Sequence, residues 1–219
     1  IYVLLKEIID NCIDEFVMGY GKTIDVNIDK DLVTVRDYGR GIPLNKVVDC
    51  VSKINTGGKY DSVAFKKSVG LNGVGLKAVN ALSSWFNVES FRDKKVKKII
   101  FNKGDIVENN NISKTLESNG TKVVFIPDEG IFNHFNYNIT HVEELIYTYT
   151  YLNPKLIINL NGKKYRSKNG LLDLLSNKTN GIVIKYPIIH LKSDDVEIAF
   201  THGNNYGETN FSYVNGQYT

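Results

Sequence analysis

The sequence predicts an α/β two-layer sandwich, a mixed and mostly antiparallel sheet with helices on one face, and three observations lead to it. An amphipathic helix opens the chain, two alternating β-branched runs follow as a hairpin, and strand and helix patterns alternate through the remainder. With 219 residues, 42% hydrophobic and 23% charged, the chain has an ordinary globular composition and can bury one large core or two small ones. No apolar run approaches the roughly 20 residues of a membrane helix. Lys6 and Glu7 cut short the opening apolar run, so no membrane partner is expected. A net charge of +3 is too small to argue for nucleic acid by itself. Cys12 and Cys50 sit in apolar settings without metal-ligand spacing, which favours free thiols in a reducing, cytoplasmic compartment. His134, His141, His190 and His202 lack ligand spacing, so no protein-bound zinc is expected.

From Tyr2 to Met18, Leu4, Leu5, Ile8, Ile9, Cys12, Ile13, Phe16 and Val17 recur at helical spacing, and Gly19 and Gly21 end the helix. Glu7, Asn11 and Glu15 are spaced four apart on a neighbouring stripe, with Asp14 one turn from Asn11, so the four project toward one region. An isolated helix of this kind would present a solvated acidic face. The segments that follow give the stripe a purpose.

Thr23–Ile28 and Leu32–Asp37 alternate across the turn Asp29-Lys30-Asp31, which places Asp37 at a strand end. A carboxylate there can turn into a pocket between sheet and helix and accept a hydrogen bond from the exocyclic amine of adenine. In Asp37-Tyr38-Gly39-Arg40-Gly41-Ile42-Pro43, the glycines allow close backbone approach and Pro43 restricts the exit, a geometry suited to a purine. In isolation the same residues make an ordinary turn.

Val47–Ile54 reads as a short helix. The segment beyond it carries Lys59, Lys66, Lys67 and Lys77 against the single acid Asp61. Gly70-Leu71-Asn72-Gly73-Val74-Gly75 then opens the apolar-periodic run Leu76–Leu82. Backbone N–H groups at a helix start, exposed by glycine, form an anion site. The spacing is not that of a dinucleotide fold, and no strand immediately precedes it. Gly21-Lys22-Thr23 mimics the end of a P-loop, but Phe16 stands where its first glycine must be.

The run Lys94-Lys95-Val96-Lys97-Lys98, between Phe91 and Ile99, reads as a solvated hairpin turn rather than a nucleic-acid patch. Thr121–Ile126 reads as a buried strand and Val142–Tyr149 as a helix, with Tyr147, Tyr149 and Tyr151 as packing residues. Leu156–Leu160, the helix-like Gly170–Leu175 and Val196–Phe200 complete the alternation. Both ends look cut: the chain starts on Ile1 in mid-pattern and closes on Phe211–Thr219, a strand and turn leading onward, so a fragment of a longer protein is expected.

Taken in order, Glu7–Glu15, Asp37–Pro43, Thr56-Gly57-Gly58-Lys59-Tyr60, Gly70–Gly75 and Asn119-Gly120-Thr121 resemble the ATPase domain of the B-type subunit of bacterial type II topoisomerases, gyrase B and ParE of topoisomerase IV. The resemblance covers nearly the whole chain. MutL-type repair proteins, histidine kinases and the ninety-kilodalton heat-shock chaperones share the Glu/Asn helix and Asp-x-Gly-x-Gly, but not Gly-Gly-Lys-Tyr with this lid. The resemblance implies a Bergerat-type fold, 1–219 as a single ATP-binding domain, and ATP with Mg²⁺ as cofactors. Glu7 is implied as the general base, Asn11 as the magnesium ligand, and Asp37 as the adenine anchor, directly and through a water shared with Thr121. Arg40 and Glu15 would pair beneath adenine, near Asp14, Gly41, Ile42 and Pro43. Gly58, Lys59, Leu71, Asn72, Gly73, Val74 and Gly75 would wrap the phosphates. Asn72 departs from the His of the best-known gyrases, and its amide still donates. Arg92 matches a residue at the pocket mouth that contacts aminocoumarin-type inhibitors.

Implied partners are DNA, an A-type subunit (ParC or gyrase A), and a second copy of the B-type subunit on ATP binding, the closed dimer gate driving double-strand passage. The family completes its site with a lysine from a following transducer domain and clasps its sister with an N-terminal arm. Neither matches a segment here, so weak or no hydrolysis and a mainly monomeric state are expected of this piece. A non-catalytic nucleotide sensor is the alternative of a different class, and Glu7 and Asn11 argue against it.

Overall fold

The computed structural model describes residues 1–54, 73–204 and 206–219. The first helix, α1, spans Tyr2–Val17, and Leu5, Ile8, Ile9 and Ile13 form its buried stripe. The hairpin follows as β1 (Thr23–Asp29) and β2 (Leu32–Asp37), antiparallel, with Lys30 at φ +57° in the turn. Two short helices come next, α2 (Val47–Ser52) and α3 (Gly75–Ala81). Then come β3 (Ser83–Arg92), β4 (Lys95–Asn102), β5 (Asp105–Asn109), β6 (Ser113–Lys114) and β7 (Gly120–Pro127). The short α4 (Glu129–Phe132) and the longer α5 (Ile139–Leu152) lead to β8 (Ile157–Leu160), β9 (Lys163–Tyr165) and α6 (Leu171–Lys178).

The strands form a nine-stranded sheet in the order β5-β4-β3-β7-β2-β1-β8-β9, with β6 on β4. Among the described residues only β1 and β8 pair in parallel, which agrees with the predicted mixed, mostly antiparallel sheet. Strand β7 enters between β2 and β3, joining the hairpin that precedes it by some eighty residues to the β3–β4 meander.

The register explains the core. Val26 lies opposite Val35, Val35 opposite Val123, Val123 opposite Val88 and Val88 opposite Ile99, all buried. Ile28, Val33, Phe125, Phe86 and Phe101 make a second such row. Directly opposed residues share a face, so these rows line one side of the sheet and pack with the apolar stripe of α1 into a single core. By the same two-residue period Asp37 falls on that face with Val33 and Val35. It is a carboxylate in a line of β-branched side chains, and the core-facing helix α1 lies against β2.

Two expectations need correction. The lysine run is not a turn: only Asp93 and Lys94 turn, at φ +52° and +60°, and Lys95–Lys98 already belong to β4. Opposite β3, Ile99 and Phe101 continue the alternation on one face while Val96 and Ile100 lie on the other, and this overrides the charge of their neighbours. The run at Val196–Phe200 also stands apart from the main sheet. Its strand β11 (Glu197–Phe200) pairs with β10 (Ile189–Lys192) in a separate ribbon, and β12 (Tyr213–Val214) with β13 (Gln217–Tyr218) makes another small hairpin.

Candidate functional site

Asp37 is the anchor of the site. It is 6% exposed, and its carboxylate accepts the Gly39 N–H at 2.7 Å and the Thr121 N–H at 3.2 Å. Burial pushes the Asp37 carboxyl up to about 6, against the pull of the Gly39 N–H and the Arg36 charge. Thr121 thus reaches Asp37, through its backbone amide from the adjacent β7. The Cys12 thiol, on α1, lies 3.9 Å from Asp37 Oδ2 and donates to the Ile8 carbonyl at 3.2 Å. Burial, with the Asp37 charge adding to it, keeps that thiol protonated.

Glu15 and Arg40 form the pair that the sequence predicts. Nη2 and Nε of Arg40 donate to the two carboxylate oxygens at 2.8 and 3.1 Å, and the Arg40 backbone N–H adds a third bond at 2.9 Å. The planar fork of guanidinium matches a carboxylate in this way, where lysine would not. The stacking partner of Arg40 is Tyr20, with the guanidinium carbon 4.6 Å from the ring centre.

The two glycines of the Asp-x-Gly-x-Gly turn serve packing within the protein. A Cβ at Gly39 would lie 2.8 Å from the Glu15 side chain. At Gly41, with φ +74°, it would come within 2.4 Å of the Phe91 carbonyl. A side chain at either position would therefore strike Glu15 or β3. The turn is fastened from β3 as well: Ser90 Oγ donates to the Ile42 carbonyl at 2.7 Å and Arg92 Nη1 to the Gly41 carbonyl at 3.3 Å. Pro43 closes the loop by accepting the Lys46 N–H at 2.8 Å.

Along α1, Glu7, Asn11 and Glu15 are half-buried on one stripe, while Asp14 lies deeper at 3% exposure and is the least open of the four. Asn11 Nδ2 donates to the Glu7 carbonyl at 2.7 Å, which fixes the amide plane and turns Oδ1 away from the helix backbone. The start of α3 meets Glu7: a Cβ on Gly75 would fall 1.8 Å from Glu7 Oε2. Gly73, at φ +59°, accepts the Lys77 ammonium on its carbonyl, and Val74 is the residue before α3. Gly58, Lys59, Leu71 and Asn72 lie outside the described residues.

The structure thus brings Glu7 against Gly75, Glu15 against Arg40, Asp37 against Thr121, and Arg92 against Gly41. Sequence reasoning missed Ser90 and the place of Cys12. A signal existed for Ser90, a polar residue in phase with Phe86 and Val88 on a buried strand face.

Residues 1–131 match the family described as Histidine kinase-, DNA gyrase B-, and HSP90-like ATPase. All 219 residues align at 51% identity with the B-type subunit of DNA topoisomerase 4 from Borreliella burgdorferi, over 36% of that protein. The B-type subunit of the type 2 topoisomerase from Aquifex aeolicus is 35% identical over 97% of the chain and 29% of its own length. The chain therefore spans about a third of the length of these curated relatives. The 43K ATPase domain of Thermus thermophilus gyrase B in complex with an aminocoumarin superposes with a TM-score of 0.75 at 26% identity, covering 93% of this chain and 57% of that one. The topoisomerase IV ATP binding domain of Francisella tularensis in complex with a small molecule inhibitor gives 0.69 at 26% identity, covering 86% and 54%.

Proposed function

Because the chain belongs to the histidine kinase-, DNA gyrase B- and HSP90-like ATPase family, we propose that it is the ATP-binding and hydrolysing part of the B-type subunit of a bacterial type II DNA topoisomerase. The observation that carries this reading is the buried Asp37 carboxylate, held by two backbone amides on the helix-covered face of the sheet, with the Glu7 stripe alongside. In this reading Asp37 accepts the exocyclic amine of adenine, and a buried acceptor discriminates strongly against a base that cannot donate. Arg40, held by Glu15, forms the adjoining wall, and Arg92 stands at the mouth, where an aminocoumarin-type inhibitor would also bind.

At the other end Glu7 takes the proton of the attacking water. Gly75 gives its carboxylate room, and the N-terminus of α3 faces the phosphates with Gly73 and Val74. Magnesium fits the donor set. Among the described residues no three His, Cys, Asp or Glu side chains converge, so the cation would be carried by the phosphates, with Asn11 adding a neutral amide oxygen. Bound there, it would neutralise charge on the β- and γ-phosphates. Gly58, Lys59, Leu71 and Asn72 complete the phosphate lid in this proposal.

In this reading 1–219 is one ATP-binding domain, and the bonds of Gln217 to Lys6 and Asp10 of α1 support it. In the whole protein two B-type subunits close on ATP, an A-type subunit (ParC or gyrase A) cuts DNA, and the work is done in the cytoplasm. No described helix is long and apolar enough to cross a membrane.

The test is calorimetric titration with Mg-ATP of this chain and of Asp37→Ala, with the fold of each checked by circular dichroism. Saturable binding lost in the folded variant is the expected result, and binding unchanged by the substitution would refute the seat. ATP-dependent strand passage by the full-length subunit with its A-type partner then tests the wider assignment.

A further inference from the structure

Asp10 has no part in the site just described, yet its carboxylate is 3% exposed and fully engaged. Lys6 Nζ lies 2.7 Å from Oδ2, Gln217 Nε2 donates to the same oxygen at 3.2 Å, and the Tyr149 hydroxyl donates to Oδ1. Lys6 also donates to Gln217 Oε1, so the one amide side chain is gripped at both ends. Three elements remote in sequence meet here: α1, α5 through Tyr149, and the β12–β13 hairpin through Gln217. Lys6 immediately precedes Glu7, and Asp10 immediately precedes Asn11. The hairpin therefore holds the two residues next to those that the proposed chemistry uses.

We infer that Asp10 is a positioning residue for ATP hydrolysis, fixing the axial rotation of α1 against α5 and the β12–β13 hairpin so that Glu7 and Asn11 keep their aim. This rests on the reading of Glu7 and Asn11 as ATP-handling residues. Three features favour it over plain packing. The junction is ionic and its Asp10 carboxylate is buried, where a single misplaced partner is costly. Tyr149 is 2% exposed, and burial together with Asp10 holds its hydroxyl protonated as a donor. Gln217, on a strand of two residues, bonds α1 through its side-chain amide. Movement of the hairpin therefore changes the hydrogen bonds of α1 before it changes the core. By linkage, nucleotide binding at α1 steadies the hairpin in return.

The experiment uses the full-length subunit with its A-type partner and compares wild type with Tyr149→Phe and Gln217→Leu, each removing polar contacts while keeping apolar bulk. Asp10→Asn serves as the conservative variant. ATP turnover, KM for Mg-ATP, thermal unfolding, and hydrogen exchange of residues 213–218 with and without a non-hydrolysable ATP analogue are measured. The expected result is a fall in kcat of about tenfold with KM within about twofold, the signature of misaligned chemistry. Asp10→Asn, which leaves one acceptor oxygen where the carboxylate uses two, falls at least as far as either, and the analogue slows exchange at the hairpin in wild type only. Unchanged kcat with a lowered melting temperature, or exchange indifferent to the analogue, would overturn the inference. If wild type itself neither binds nor turns over ATP, the reading of the site fails, and this inference with it.

Discussion

Gly75 stands where any side chain would strike Glu7, its notional Cβ falling 1.8 Å from Oε2 and 2.7 Å from Cδ. Helix propensity alone favours Gly75→Ala by up to about 1 kcal/mol. The obstacle is the far end of a flexible side chain, which can swing away at little cost. Gly75→Ala is therefore expected to leave stability within about 1 kcal/mol of wild type while moving the Glu7 carboxylate off its position. Turnover in the full-length subunit should drop by about a hundredfold, the scale of general-base catalysis. Urea unfolding beside steady-state ATPase checks it, and equal losses in both would contradict it.

With Asp37 as the proposed adenine anchor, nucleotide binding should depend on pH. The Asp37 carboxyl is raised to about 6 by burial, and the ionised form is the stronger acceptor for an amine. Affinity should be flat above pH 7 and weaken below 6, by at most about tenfold per unit, with protons released on binding near pH 6. Titration in buffers of different ionisation enthalpy measures that release. Asp37→Asn should lose both the affinity and its pH dependence.

The same raised carboxyl has the opposite effect on folding. The folded state favours the protonated acid, so this group's contribution is fully present below about pH 4 and is lost as pH rises through about 6. A shift of this size corresponds to an upper bound of about 3 kcal/mol. Urea midpoints at pH 5 and pH 8, compared between wild type and Asp37→Ala, isolate it: the variant should gain relative to wild type at the higher pH.

Ser90 is fully buried and donates to the Ile42 carbonyl at 2.7 Å. Ser90→Ala leaves that carbonyl without its donor, at a cost of about 1–2 kcal/mol. It should also weaken ATP binding a few-fold by loosening the Gly41–Pro43 turn. Calorimetry at a temperature well below unfolding separates the two effects.

The Glu15–Arg40 pair is bidentate, but the Arg40 side chain is 40% exposed, so solvent screens it. A double-mutant cycle of Glu15→Gln and Arg40→Gln should return a coupling of about 1 kcal/mol or less, shrinking with added salt. A coupling insensitive to salt would contradict the screening argument.

Much of the site was legible because it is built on periodicity. The four-residue spacing of Glu7, Asn11 and Glu15 survives as one stripe of α1, and alternation in β2 fixes the face on which Asp37 lies. Asp14, two turns on from Glu7, lies within about 20° of it around the helix axis, so its deeper burial comes from its place along α1 and not from its stripe. What the residues alone could not show is contact between distant segments. Ser90 reaches Ile42 only because β3 lies beside β7, and the Asp10 junction needs α5 and β13. The lysine run misled because charge was weighed above the alternation of its apolar partners.

The position of β7 sets an order of assembly. It separates β2 from β3 in the sheet, yet it is the last of the three to leave the ribosome. Until residue 127 has emerged, the hairpin that carries Asp37 and the meander that carries Ser90 and Arg92 have no shared neighbour. Closing that long loop is slow compared with forming either hairpin. A nascent chain should therefore acquire its first strands early and its affinity for ATP late, in one step, when β7 slides between them.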